Sequence, residues 1–288
     1  MRRYFYNIIT GKSRVAFGSL LRPLLILLSS LFFVVVKTRC FFYKIGILRS
    51  VNLKKPVISV GNITWGGTGK TPLVEALLYK FLQKGERPAL LTRGYGKDED
   101  KVMFQNFPKI PVLSGKDKLS NALQAQKNPD VSLFLMDDGF QHLRIRRDAD
   151  IVTINATDPI GNGFLIPAGI LREPLNSLKR ADMVIITKSD LVNKEGLSRL
   201  KRLISDVVGD IDVFEAIHEP VYFSTAFMEK RPLDCIKQRR VCAISGLADN
   251  NSFSMTLKQL NVPVVLHLLY MDHHKYVRID MEKIVEAV

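Results

Sequence analysis

Short, nearly continuous apolar runs alternate along this chain with stretches whose apolar positions recur every three to four residues. Residues 57–60, 89–92, 133–137, 151–155 and 183–187 predict strands buried on both faces. Residues 70–84, 118–126 and 194–208 carry the spacing of amphipathic helices. This alternation predicts an α/β fold, a mostly parallel sheet with helices on both faces. A second set starts near Val213, with strands near 213–217, 240–245 and 264–269 and a helix near 252–260. It reads as a smaller C-terminal α/β lobe. The expected division is an N-terminal arm over residues 1–55, a main domain over 56–210 and the lobe over 211–288.

The arm departs from the alternation. Residues 24–36, LLILLSSLFFVVV, hold no charge and lie between Arg22-Pro23 and Lys37. As a helix this run rises about 20 Å, short of the roughly 30 Å hydrocarbon core of a bilayer. Extending it upstream to Val15 reaches spanning length only by including Arg22 and Pro23. A secretory signal fits poorly, because basic residues continue past the run and no small-residue cleavage site follows. A buried core helix, a spanning helix and an interfacial anchor remain open. Phe32, Phe33, Phe41, Phe42 and Tyr43 interleave with Lys and Arg, which favours an anchor at an anionic headgroup boundary.

Charge strengthens that reading. The formal net charge is +14, and no Asp or Glu occurs before Glu75. Arg2, Arg3, Lys12, Arg14, Arg22, Lys37, Arg39, Lys44, Arg49, Lys54 and Lys55 all precede residue 56. Each basic group close to an anionic surface contributes on the order of 1 kcal/mol. Nucleic acid is the competing partner of a basic arm, and the apolar run inside it argues against that. Cys40, Cys235 and Cys242 show neither CxxC nor metal spacing and read as thiols of a reducing compartment.

The strongest chemical signal is VISVGNITWGGTGKTPLVEAL, residues 57–77. Strand, glycine-rich loop and helix follow in the order a phosphate-binding loop requires. Glycines let the backbone wrap an anion, and the helix N-terminus adds partial positive charge. Thr64, Gly66, Gly67, Thr68 and Gly69 form the loop. Lys70 can reach the β- and γ-phosphates, and the Thr71 hydroxyl can ligate Mg²⁺. The strict pattern places its first glycine at the position of Thr64; Gly66 and Gly67 supply the flexibility instead. The main domain is therefore expected to be P-loop NTPase-like and to bind a nucleoside triphosphate.

Three further strings bear on chemistry. Residues 133–138, LFLMDD, end a strand in two carboxylates. Asp137 fits a Mg²⁺ ligand, and Asp138 a group that orients water or substrate. His142 follows closely, either structural or lining the site. Thr187-Lys188-Ser189-Asp190 resembles the guanine-reading NKxD motif, and equally a strand end with a helix cap. Asp272-His273-His274 lacks a third ligand at helical spacing, which discounts a structural zinc. A carboxylate beside an imidazole suits proton transfer, or else a solvated surface loop.

Together these strings resemble the tetraacyldisaccharide 4′-kinase family, the lipid A 4′-kinases of Gram-negative bacteria. The matching elements are GNITWGGTGKTP (61–72), LTRGYG (91–96), MDDGFQH (136–142), GNGFLIPAGILREPLNSLKRAD (161–182) and DHHKY (272–276). The resemblance implies ATP-dependent phosphorylation of the 4′-hydroxyl of a tetraacylated glucosamine disaccharide 1-phosphate. It implies ATP and Mg²⁺ as cofactors, an anionic glycolipid as substrate and the cytoplasmic face of the inner membrane as location. No nucleic acid is expected as a partner, and no obligate protein partner is evident. Family members carry a GDEP stretch whose Asp acts near the attacking hydroxyl with a histidine of DHH. Counting back from Gly115 sets Asp98-Glu99 on that Asp-Glu, with Lys97 for Gly and Asp100 for Pro. Asp98 is thereby implied as catalytic base, His273 as its partner, and Arg172 of LREP as stabiliser of the transferring group. Lys118 falls where the family tends to have arginine, which keeps the charge but loses the bidentate fork. The family pattern continues to a TEKD-containing strand, whereas this sequence ends at Val288. The rival reading is a P-loop GTPase or assembly factor, motivated by TKSD.

Overall fold

The computed structural model describes residues 16–94, 103, 106–225, 227, 229–237, 239–247, 249–271 and 274–287. Helix α1 spans Ala16–Lys44 and contains Pro23. It outruns the apolar segment that predicts it because Lys and Arg are good helix formers; the first breaker downstream is Gly46, at φ 80°. Then follow β1 (Val57–Asn62), α2 (Lys70–Gln83), β2 (Pro88–Thr92), β3 (Val112–Ser114), α3 (Lys118–Ala125) and β4 (Leu133–Asp137). Next come β5 (Ala149–Asn155), β6 (Met183–Thr187), α4 (Lys194–Val208) and β7 (Asp212–Ala216).

These seven strands form one sheet in the order β3-β2-β4-β1-β5-β6-β7, parallel at every pairing. Their apolar runs are continuous because both faces are covered. Val60, Leu90, Leu135, Ile151 and Ile185 pack with Val74 and Leu78 of α2 on one face. Their neighbours in the strands turn the other way: Ala89, Leu91, Phe134 and Met136 meet Leu119 and Ala122 of α3. On the same side Val152, Ile154, Val184 and Ile186 meet Leu200 and Ile204 of α4. Strand periodicity of two thus builds both layers.

The strand expected to open the C-terminal lobe belongs to this sheet. Residues 212–216 pair with β6 in register, from Met183 opposite Asp212 to Thr187 opposite Ala216. Gly209, at φ 77°, turns the chain after α4 back to the same sheet, so this turn closes a crossover and is not a domain end. Beyond it, β8 (Phe223–Ser224) and β9 (Lys230–Arg231) make a short antiparallel pair. β10 (Val241–Ser245) and β11 (Val264–Leu269) make a separate parallel pair, connected through α5 (Asn250–Gln259). Ala243, Leu257 and Val262 are its small buried cluster. α6 (Arg278–Ala287) ends the described chain; only Ile284 of it is buried, so it carries too little apolar period to be predicted.

α1 lies along the body. Leu25 and Ser29 are buried, Ser29 Oγ donates to Leu165 O at 2.9 Å, and Phe32 packs on the main core. Farther on, Arg39 Nη2 donates to Gln141 O at 3.0 Å and Cys40 Sγ lies 3.9 Å from Arg180 Nη1. The stripe from Leu25 to Cys40 covers about 22 Å of helix. The other faces are apolar and exposed: Leu24, Leu27, Leu28, Leu31, Val34, Val35 and Phe41. The stretch Leu21–Lys44 is long and apolar enough to cross a membrane.

Candidate active site

All seven parallel strands point their carboxyl ends at one rim of the sheet, where open α/β folds bind ligands. β1 ends at Asn62 in the glycine-rich loop, and α2 begins at Lys70. The left-handed turns of the loop fall on Gly66 (φ 123°) and Gly69 (φ 76°). Thr64 needs no such freedom: it is buried and bridges Leu171, which explains why threonine serves where the strict pattern has glycine. Gly61 is required for another reason, since a Cβ there would lie 2.4 Å from Phe140 Cβ. Thr68 is buried and anchors the loop, its hydroxyl 3.0 Å from Asn62 Nδ2 and 2.9 Å from Thr153 Oγ1. Whereas Asp117, Asn193 and Asp249 cap α3, α4 and α5 through side chains, α2 starts on Gly69 with no side-chain cap. Its first-turn N–H groups are therefore available to an anion. Lys70 and the half-buried Thr71 open that turn.

β4 pairs with β1 so that Asp137 sits opposite Val60, which brings the carboxylates beside the loop. Asp138 adopts φ 50° and gathers the cations. Arg172 grips it bidentately, Nη1 to Oδ1 at 2.6 Å and Nη2 to Oδ2 at 3.1 Å, and also donates to Asn62 Oδ1 at 3.1 Å. Lys70 Nζ stands 3.8 Å from Asp138 Oδ1. Arg172 is held by its own backbone, whose N–H donates to Ile63 O at 2.7 Å. Lys118, buried at the start of α3, donates to the Asp137 carbonyl and, at 3.4 Å, to that of Asp138. Asp137 Oδ1 is buried with no hydrogen-bond partner among the described residues.

These contacts set the protonation states. Burial, with the Asp138 charge adding to it, pushes the Asp137 carboxyl above the usual range against Lys118 and Lys70. Burial also acts to raise Asp138, but the Arg172 bonds and charge, then Lys70 and Lys118, outweigh it and hold it low. Burial and the charges of Lys118, Arg144 and Arg147 push His142 down to about 4, so the imidazole is neutral at pH 7. Burial drives the Lys118 ammonium down to about 8 from 10.5, against the attraction of Asp137 and Asp138.

Lys118 makes stability depend on pH. The unfolded chain keeps this proton up to 10.5 and the folded chain only to about 8, so unfolding takes up a proton between them. Stability of the nucleotide-free protein is expected to rise with pH through that window, by on the order of 3 kcal/mol from this group. Denaturant unfolding at pH 8 and pH 10 measures it, and Lys118→Met should lack that contribution.

Asp98 and His273 lie outside the described residues. The neighbouring His274 is described: its Nε2 is 2.8 Å from Asp280 Oδ2 in the first turn of α6. In TKSD, Asp190 accepts from Gln259 Nε2 at 3.1 Å and Lys188 pairs with Asp249 at 2.7 Å. The three cysteines are free thiols. Sequence reasoning passed over Asn62, which ties Arg172 to Thr68, and Glu173, whose buried carboxylate is 2.9 Å from Arg180 Nη1. Glu173 adjoins Arg172 in LREP, a carboxylate next to a site residue that could have marked it, whereas Asn62 acts through a partner 110 positions away. Arg180 in turn stacks over Phe140, 4.4 Å from the ring centre, so LREP is locked to the MDDGFQH turn.

The sequence profile of LpxK, tetraacyldisaccharide-1-P 4′-kinase, matches residues 21–288. The tetraacyldisaccharide 4′-kinase of Halothermothrix orenii is 32% identical over 99% of this chain and 83% of its own length. That of Syntrophus aciditrophicus is 36% identical over 90% of this chain and 77% of its own. LpxK of Aquifex aeolicus, solved in complex with ATP, matches with a TM-score of 0.71 and 30% identity, covering 90% of this chain and 84% of that one. By sequence and by fold alike, the chain belongs to the tetraacyldisaccharide 4′-kinase family.

Proposed function

We propose that this chain transfers the γ-phosphoryl group of ATP to the 4′-hydroxyl of a tetraacylated disaccharide 1-phosphate in lipid A assembly, using residues 64–71 as the nucleotide site. The observation that carries this reading is the convergence of Lys70 and Arg172 on Asp138, beside a buried Asp137 oxygen that has no partner among the described residues. Asp137 and Thr71 offer hard oxygen ligands that fit Mg²⁺, which takes one or two protein oxygens together with phosphate and water. When bound, the ion neutralises charge on the β- and γ-oxygens.

The rest is done by the chain. The uncapped N–H groups of α2 and the Lys70 ammonium hold the nucleotide phosphates. Arg172 supplies a second, planar cation for the equatorial oxygens of the transferring group. Asp138, kept ionised, orients both cations. Asp98, positioned by His273, accepts the proton of the attacking hydroxyl. α1 rests on the cytoplasmic face of the inner membrane with its exposed leucines and valines in the lipid, which supports lateral access for an acylated substrate. Its docked stripe favours an interfacial helix over a free-standing span.

Asp98→Asn tests the base. It is expected to lower kcat by about 10²–10⁴-fold with little change in KM for ATP. Steady-state transfer to the lipid in detergent micelles measures both, and normal kcat in this variant excludes Asp98 as base.

A further inference from the structure

The TKSD segment takes no part in the transfer chemistry, yet it is heavily bonded at the rim of the site. Lys188 follows β6 at φ 55°, a left-handed conformation that a lysine keeps only with support. It is 5% exposed. Its ammonium donates to Asp249 Oδ2 at 2.7 Å, to Ser252 Oγ at 3.1 Å and to the Gly67 carbonyl of the phosphate loop at 3.4 Å. One residue earlier, Thr187 Oγ1 donates to the Thr68 carbonyl at 3.0 Å. Two residues later, Asp190 accepts from Gln259, the last residue of α5.

Asp249 is the other half of this joint. It caps α5 through Ser252 N at 3.1 Å and accepts from Asn155 Nδ2, at the end of β5, at 3.2 Å. Burial acts to raise its carboxyl, but the Lys188 bond and charge hold it below the usual range. One four-residue segment therefore grips both ends of α5, about 15 Å apart, and two carbonyls of the phosphate loop. A trans peptide points its N–H opposite its C=O, so holding the Thr68 carbonyl on this side turns the Gly69 N–H to the other.

We propose that Lys188 and Asp249 are positioning residues that set the shape of the phosphate loop from α5, so that ATP affinity depends on how the β10–α5–β11 unit is seated. The inference rests on the nucleotide-site reading of residues 64–71. It also gives TKSD a role unrelated to guanine: both of its charged side chains are engaged by α5.

The test is calorimetric titration of the full chain with MgATP, with steady-state transfer to the tetraacyl disaccharide 1-phosphate in parallel. Lys188→Met and Asp249→Asn are each expected to raise the ATP Kd and KM about tenfold, with kcat within about twofold of wild type. The double variant should be no worse than either single, because each breaks the same joint. Lys188→Arg should recover part of the affinity, and Ser252→Ala, which strands no charge, should raise Kd about twofold. These two milder variants decide the matter if the others fail to fold. Unchanged ATP affinity in the folded variants would overturn the proposal, as would fully additive losses in the double. Wild type that binds MgATP but transfers nothing to the lipid contradicts the kinase reading, while the Kd comparison still decides the joint.

Discussion

Lys70→Ala is expected to cut phosphoryl transfer at least about 10³-fold while the protein stays folded. Lys70 is the first residue of α2, next to N–H groups that no side chain caps. Its ammonium is 3.8 Å from Asp138 Oδ1. Charge on the transferring group grows where this cation can reach it, and phosphoryl transfer has little else to draw on. Stability should change by less than about 1 kcal/mol, because the pair is loose and Arg172 keeps its bidentate hold on Asp138. Thermal unfolding and initial transfer rates, measured on the same preparation, separate the two effects.

Asp137→Asn should divide activity and stability in opposite directions. Its Oδ1 is buried with no partner among the described residues, and burial raises the carboxyl above 3.8. Between 3.8 and that raised value the folded chain holds a proton the unfolded chain has lost. Stability therefore falls as pH rises through this window. An amide of the same shape avoids most of that desolvation, so the nucleotide-free variant is expected to be about 1 kcal/mol more stable than wild type at pH 7. The same change removes a hard anionic ligand, and kcat should fall about 10²–10³-fold. Melting with ATP and with MgATP reads the cause. Wild type should gain more from MgATP than from ATP alone, and the variant should lose that difference.

The main sheet was legible because its strands are buried on both faces, and runs such as LFLM and MVII have no other stable home. Positions of the loop and of Asp137 followed, since strand ends fix them. What was not legible depended on long-range contact. Residues 212–216 look the same whether they extend one sheet or start another, and only pairing with β6 decides it. α1 reads as too short from the sequence because charge marks its end, although Lys37, Arg39 and Lys44 ride on an unbroken helix. Asn62 and the Lys188–Asp249 joint connect residues 61 to 110 positions apart, so no local pattern signals them. Thr64 misled in the other direction, for it breaks the loop pattern on paper while its backbone needs no glycine.

The most direct measurement is transfer of labelled γ-phosphate from ATP to a tetraacyl disaccharide 1-phosphate in detergent micelles, with wild type and Lys70→Ala side by side. Label in the lipid at the 4′ position with wild type, and none above background with Lys70→Ala, is the expected result. Folded wild type that binds ATP yet leaves the lipid unlabelled would contradict the assignment of this site as a lipid kinase.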